Sequence, residues 1–168
     1  MAKPLIPDLE AAHDLPEIFE LVKSIVRNVT GKERGGLMLG LANLGGGMDG
    51  FVGAYHPVST NIIVMNSLPL ARLEETDPAL YKPYVFHILL HEYIHTLGTL
   101  DEEATRRMVY DISVAAFGRE HPVTRFACGF SAFMTKLVYP IRGWNPPEDP
   151  PLELVRGFDR SSTDHYIR

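Results

Sequence analysis

A chain of 168 residues, 45% hydrophobic and 22% charged, has the size and composition of one ordinary domain with a real core. Its net charge of -5 argues against nucleic acid as the main partner, because a phosphate-binding surface needs excess Lys and Arg. The lone cysteine, Cys128, excludes an internal disulfide, no run approaches the roughly 18 apolar residues of a membrane span, and residues 1–8 hold no signal-peptide core, so the chain reads as cytoplasmic with no membrane partner.

Residues 1–13 read as an irregular lead-in. A helix is predicted from Asp14, which can cap it, with Pro16 in the first turn and Glu17 three residues after the cap. Ile18, Leu21, Val22, Ile25, Val26 and Val29 make its apolar stripe, and Gly31 stops it. Residues 37–42 form a candidate strand. The glycine-rich stretch 45–50 is a loop or tight turn that lacks the GxxxxGK[ST] pattern of a phosphate cradle. Residues 51–56 and 60–66 are two more strand candidates, joined as a hairpin through Pro57, Val58 and Ser59.

Residues 67–83 contain Pro69, Pro78 and Pro83 and read as a connection. A helix is predicted from Pro83 or Tyr84 to Leu97, with Gly98 just past its end. Thr99-Leu100-Asp101-Glu102 is a capping-box pattern opening another helix that ends at Gly118. A third is predicted from Pro122 to about Val138. The expected fold class is α+β, with a small mixed sheet and packed helices. Residues 1–140 form the domain. Residues 141–168 form a Pro-rich tail, carrying Trp144, Phe158 and Tyr166, that packs on the domain or on a partner subunit.

The chemistry lies in His91-Glu92-Tyr93-Ile94-His95. On a helix, positions i and i+4 share a face, so both imidazoles can reach one metal ion. Zinc accepts nitrogen ligands and lowers the pKa of a bound water towards about 7. A carboxylate beside that face can then take the proton, which is why a Glu between the two histidines suits hydrolysis.

The pattern extends as His91-Glu92-x-x-His95-x-x-Gly98-x-x-Asp101. Over residues 91–101 the sequence resembles the zincin metallopeptidases, specifically the metzincin-like group with HExxHxxGxxH/D. The resemblance implies a minimal zincin-like domain, a zinc ion, a peptide or protein substrate, metal ligands His91, His95 and Asp101, and Glu92 as general base. It also implies an edge strand above the cleft, for which residues 60–66 are the candidate. The same ligand spacing resembles a family of metal-dependent RNA-processing hydrolases, whose second position is Gly rather than Glu92. A non-catalytic zinc protein is the third class.

The third ligand stays open among Asp101, Glu102, Glu103 and His121, with Glu102 expected to fold back on Thr99 as part of the capping box. Met108 and Met134 both fall in predicted helices, so neither reads as the methionine turn of a metzincin. His87 extends the histidine column by one turn. Tyr84 and Tyr93 are candidate oxyanion donors, although tyrosines on a buried helix usually serve the core. Arg106, Arg107 and Asp111 are candidates for orienting a ligand.

Overall fold

The computed structural model describes residues 4–45, 52–129 and 151–159, and these form six α-helices and one four-stranded mixed sheet. The α+β class follows directly. Where the sequence reads as an irregular lead-in there is a short helix, α1 (Ile6–Ala11), anchored in the core by Leu9. Its six residues are too few to display an apolar period. Helix α2 (Leu15–Thr30) starts where expected, with the Asp14 carboxylate accepting from the Glu17 amide, and ends at Gly31 in the left-handed conformation, φ 75°.

Strands β1 (Met38–Ala42) and β3 (Ile62–Asn66) run parallel at the centre of the sheet, Leu39 opposite Ile63 and Leu41 opposite Met65. Strand β2 (Ala54–Tyr55) pairs antiparallel with β3 as the expected hairpin, and β4 (Glu153–Leu154) pairs antiparallel with β1. The spatial order is β2-β3-β1-β4. The strand expected at the edge is therefore interior, and β2 and β4 are the edges. Ile63, Val64 and Met65 are consecutive and all buried, which marks a strand covered on both faces.

Asn66 ends β3 and uses its whole hydrogen-bonding capacity. Its Oδ1 accepts from the amides of Leu44 (3.0 Å) and Leu68 (3.2 Å), and its Nδ2 donates to the carbonyls of Gly45 (2.6 Å) and Val52 (2.8 Å). Its own amide donates to the Gly53 carbonyl at 2.8 Å. One buried side chain thus caps the next helix and fixes both flanks of the glycine-rich stretch.

That next helix corrects the connection expected over residues 67–83. Residues Ser67–Thr76 form α3, with Leu70 and Leu73 in the core, and a 3-10 turn follows at Pro78–Leu80. Pro69 falls in the first turn, where no intrahelical amide bond is lost. Helix α4 (Tyr81–Thr96) is buried around its circumference: Tyr84, Val85, Phe86, Leu89, Leu90, Tyr93 and Ile94 are inaccessible. It packs against α1, α2, α3 and β2, and against α5 (Glu102–Phe117) and α6 (Pro122–Cys128). Arg34 holds its C-terminal end. The guanidinium donates to the carbonyls of Thr96 (2.9 Å) and Thr60 (2.8 Å), and the Arg34 amide donates to the Tyr93 hydroxyl at 2.9 Å. A cation there also complements the helix dipole.

Residues 151–159 of the C-terminal part make contacts with the sheet and α2. Leu152 lies over Gly40, where a Cβ would meet the Leu152 side chain at 2.5 Å. Phe158 stacks on Phe19 with ring centroids 4.1 Å apart. Asp159 is fully buried, pairs with Lys23 and accepts from the Leu37 amide at 2.8 Å. The expected continuation of α6 to about Val138, with Met134, lies outside the described residues, as do Trp144 and Tyr166. Among the described residues no helix is long and apolar enough to cross a membrane.

Replacing Asn66 by Leu keeps the branched shape but strands two amides and two carbonyls. Asn66→Leu is expected to lower the unfolding free energy in a urea titration by roughly 3 kcal/mol or more. A midpoint within error of wild type would mean that these four groups do not depend on Asn66.

Candidate metal centre

His91 and His95 sit on one face of α4, one turn apart, with ring centroids at 4.8 Å and planes at 77°. Their Nε2 atoms are 3.2 Å apart. Gly98, φ 105°, ends the helix and reverses the chain. The Asp101 carboxylate then caps α5, accepting from the amides of Glu103 (2.8 Å) and Ala104 (3.1 Å). Glu102 becomes the first residue of α5, and its carboxylate turns back over the imidazoles. Oε1 lies 2.8 Å from His95 Nε2 and Oε2 lies 3.3 Å from His91 Nε2. Among the described residues, His91, His95 and Glu102 are the group whose ligand atoms converge, all within 4.8 Å of one another.

The structure thus brings Glu102, rather than Asp101, to the two histidines. The capping-box reading placed the cap at Thr99, which would fold Glu102 onto the helix end. The observed cap is Asp101, two residues later, so Glu102 points outward while Asp101 is held by backbone amides. Glu103 pairs with Arg107 at 3.3 Å on the exposed side. His121 caps α6, accepting from the Val123 amide at 3.2 Å, and stacks on Phe117. The Tyr93 hydroxyl is engaged by Arg34, and Tyr84 is buried beneath β2, where a Cβ on Gly53 would meet its hydroxyl at 3.3 Å. Neither tyrosine lines the cavities beside the cluster. Asp111 is exposed on α5.

The His95 ring is oriented from behind. Its Nδ1 lies 2.7 Å from the Thr99 carbonyl oxygen, which can only accept, so Nδ1 carries the hydrogen and Nε2 faces the cluster with its lone pair. Burial lowers His91 below the ordinary imidazole value, Glu102 opposing and His95 adding to the effect. Glu92 is buried between the two histidines in sequence. Burial pushes its carboxyl up to about 7, His95 pulling it back and Glu102 pushing it further.

Two cavities meet at this group. The larger, about 590 Å³, is lined by His87, His91, Glu92, Glu102, Arg106 and apolar groups that include Val52, Ile88, Val109 and Phe126. Cys128, exposed at the end of α6, lies on its rim. The smaller, about 290 Å³, is lined by Ala54, Tyr55, His56, Val58, Leu100 and again Glu92, His95 and Glu102. Strand β2 therefore borders both. Sequence reasoning missed this role of residues 52–56, because a two-residue edge strand carries no periodic signal. The cap shift was detectable in principle, since Asp is at least as good a cap as Thr and Asp101 lies three residues beyond Gly98.

His87 lies deeper in the larger cavity, stacked on Phe126 with centroids 6.0 Å apart. Burial, with a smaller contribution from His91, holds its pKa down to about 3. The unfolded chain therefore takes up this proton first as pH falls. The stability tied to neutral His87 is whole above about pH 6.5 and drains away as pH drops towards 3. His87→Phe is expected to flatten the stability profile across that window by a few kcal/mol, measured by urea unfolding at stepped pH. An unchanged slope would mean that His87 titrates alike in both states.

No family model, curated protein or solved structure matches the chain.

Proposed function

We propose that the chain is a zinc-dependent peptidase of minimal zincin type, with His91, His95 and Glu102 as metal ligands and Glu92 as general base. The observation that carries this reading is the convergence of the two Nε2 atoms and the Glu102 carboxylate. With Nδ1–H of His95 committed to Thr99, a neutral His95 would turn its Nε2 lone pair towards a Glu102 oxygen at 2.8 Å and towards His91 Nε2 at 3.2 Å. A divalent cation between the three groups satisfies all of them. Ligand atoms about 2.0–2.1 Å from a tetrahedral zinc are about 3.3 Å apart, close to the 3.2 Å between the two Nε2 atoms. Two nitrogens and a carboxylate are also a donor set that zinc accepts, and three protein ligands leave a position for substrate or water.

When bound, zinc supplies Lewis acidity, polarising a substrate carbonyl and making a water more acidic. The remaining work falls to the chain. Glu92, poised near neutrality, takes a proton from the attacking water and delivers it to the leaving amine. Thr99 keeps the His95 ring from turning. The buried α4 keeps both histidines in register. A peptide substrate is favoured by β2, which among the described residues pairs only with β3 and runs beside both cavities, offering backbone groups to an extended chain.

Equilibrium dialysis and peptide-library hydrolysis test the assignment together. Glu102→Ala is expected to weaken zinc binding about tenfold or more. Asp101→Ala should retain zinc while costing about 1 kcal/mol of stability through the lost cap. The reverse ranking would return the third-ligand role to Asp101. Glu92→Gln is expected to bind zinc normally and to lose hydrolysis by a factor on the order of 10² or more. Undiminished turnover by that variant, or absence of zinc binding in wild type, would remove the proposal.

A further inference from the structure

We infer that Arg106 anchors a substrate carboxylate in the larger cavity, so that the site selects peptides carrying an anionic group beside an apolar side chain. This inference rests on the peptidase reading for its reaction but on independent geometry for its ligand. Arg106 follows Glu102 by one helical turn on α5 and lines the cavity with His91 and Glu92. The i, i+4 spacing would ordinarily pair the two side chains. The adjacent couple on the same helix shows this, with Arg107 on Glu103 at 3.3 Å. Glu102 instead spends its carboxylate on the imidazoles. Among the described residues the Arg106 guanidinium has neither a hydrogen bond nor an ion pair, although its charge acts on His91.

The walls beside it explain what such a cation would select. Val52, Ile88, Val109 and Phe126 are apolar, and the two described carboxylates of the lining, Glu92 and Glu102, have work elsewhere. A guanidinium is always charged and presents a planar fork that matches a carboxylate through two parallel hydrogen bonds. A carboxylate next to an apolar group therefore complements the cavity in both charge and surface. The carboxylate has two sources in a peptide: the C-terminus, or an Asp or Glu side chain.

The test uses the full-length chain. With zinc bound, a peptide set is compared with free or amidated C-termini and with Glu or Gln at each position. Arg106→Gln is expected to lower kcat/KM roughly tenfold or more on carboxylate-bearing peptides, chiefly through KM, while leaving their amide counterparts within about twofold. Loss of the Arg106 effect on amidation identifies the C-terminus, and loss on Glu-to-Gln exchange identifies the side chain. In parallel, calorimetry compares 3-phenylpropionate with 3-phenylpropionamide, before and after chelation of the metal. Wild type should prefer the acid, and Arg106→Gln should lose that preference while Arg106→Lys keeps part of it. Equal losses on acid and amide peptides, or acid preference surviving in Arg106→Gln, would overturn the assignment. If no peptide is cleaved, the peptidase reading fails, and the calorimetric comparison still decides the role of Arg106.

Discussion

The constraint behind the rest is that α4 is packed against neighbours over nearly all of its surface, and only the face carrying His91 and His95 opens into cavities. A helix apolar around its circumference is held in angle and height by neighbours on every face, here α1, α2, α3, α5, α6 and β2. Its rotation about its own axis is therefore fixed by packing rather than by polar contacts at its ends. The two imidazoles inherit that fixity. They project into the two cavities, and Arg34 clamps the adjacent end through Thr96 and Thr60. The cost of such a placement appears in the titratable groups. Burial holds His87 neutral, lowers His91 and raises Glu92 towards neutrality, so the fold itself biases the protonation states beside the cluster.

The second determinant is a choice of cap. Moving the start of α5 from Thr99 to Asp101 gives Asp101 and Glu102 different destinations. Asp101 is consumed by two backbone amides, and Glu102 is released towards the histidines. Gly98 makes this possible by taking a conformation that other residues adopt only with strain. The Thr99 carbonyl, exposed by the same reversal, orients His95. One turn between two helices thus supplies both an acidic ligand candidate and the group behind a ligand candidate.

Much of this was legible in the sequence, and the failures have physical reasons. Helix α2 was marked by a cap, a stripe and a stopping glycine, and α4 by an apolar run closed by Gly98. The pairing of β2 with β3 followed from the turn residues Pro57, Val58 and Ser59 between two strand candidates. What escaped was short or tertiary: the six residues of α1, and α3, where three prolines suggested a connection although Pro69 falls in a tolerated first turn. The position of β3 inside the sheet follows from its pairing with β1 on one side and β2 on the other, and β2 has only two residues. For the candidate site, His91, Glu92 and His95 were evident from spacing alone. Glu102 was expected to fold back on Thr99 because two competing caps lie two residues apart, and local propensity does not decide between them.

The pairing of β1 with β4 has a consequence during synthesis. While a ribosome is still making the segment that holds Glu153 and Leu154, the outer backbone groups of Leu39, Gly40 and Leu41 face solvent, and Lys23 has yet to meet Asp159, 136 positions later. A nascent polypeptide in that interval carries a bare, mostly aliphatic β-edge beside a sheet that can otherwise be complete. Translation pausing late in the message would prolong this exposure. In the folded chain residues 151–159 cover that edge of β1.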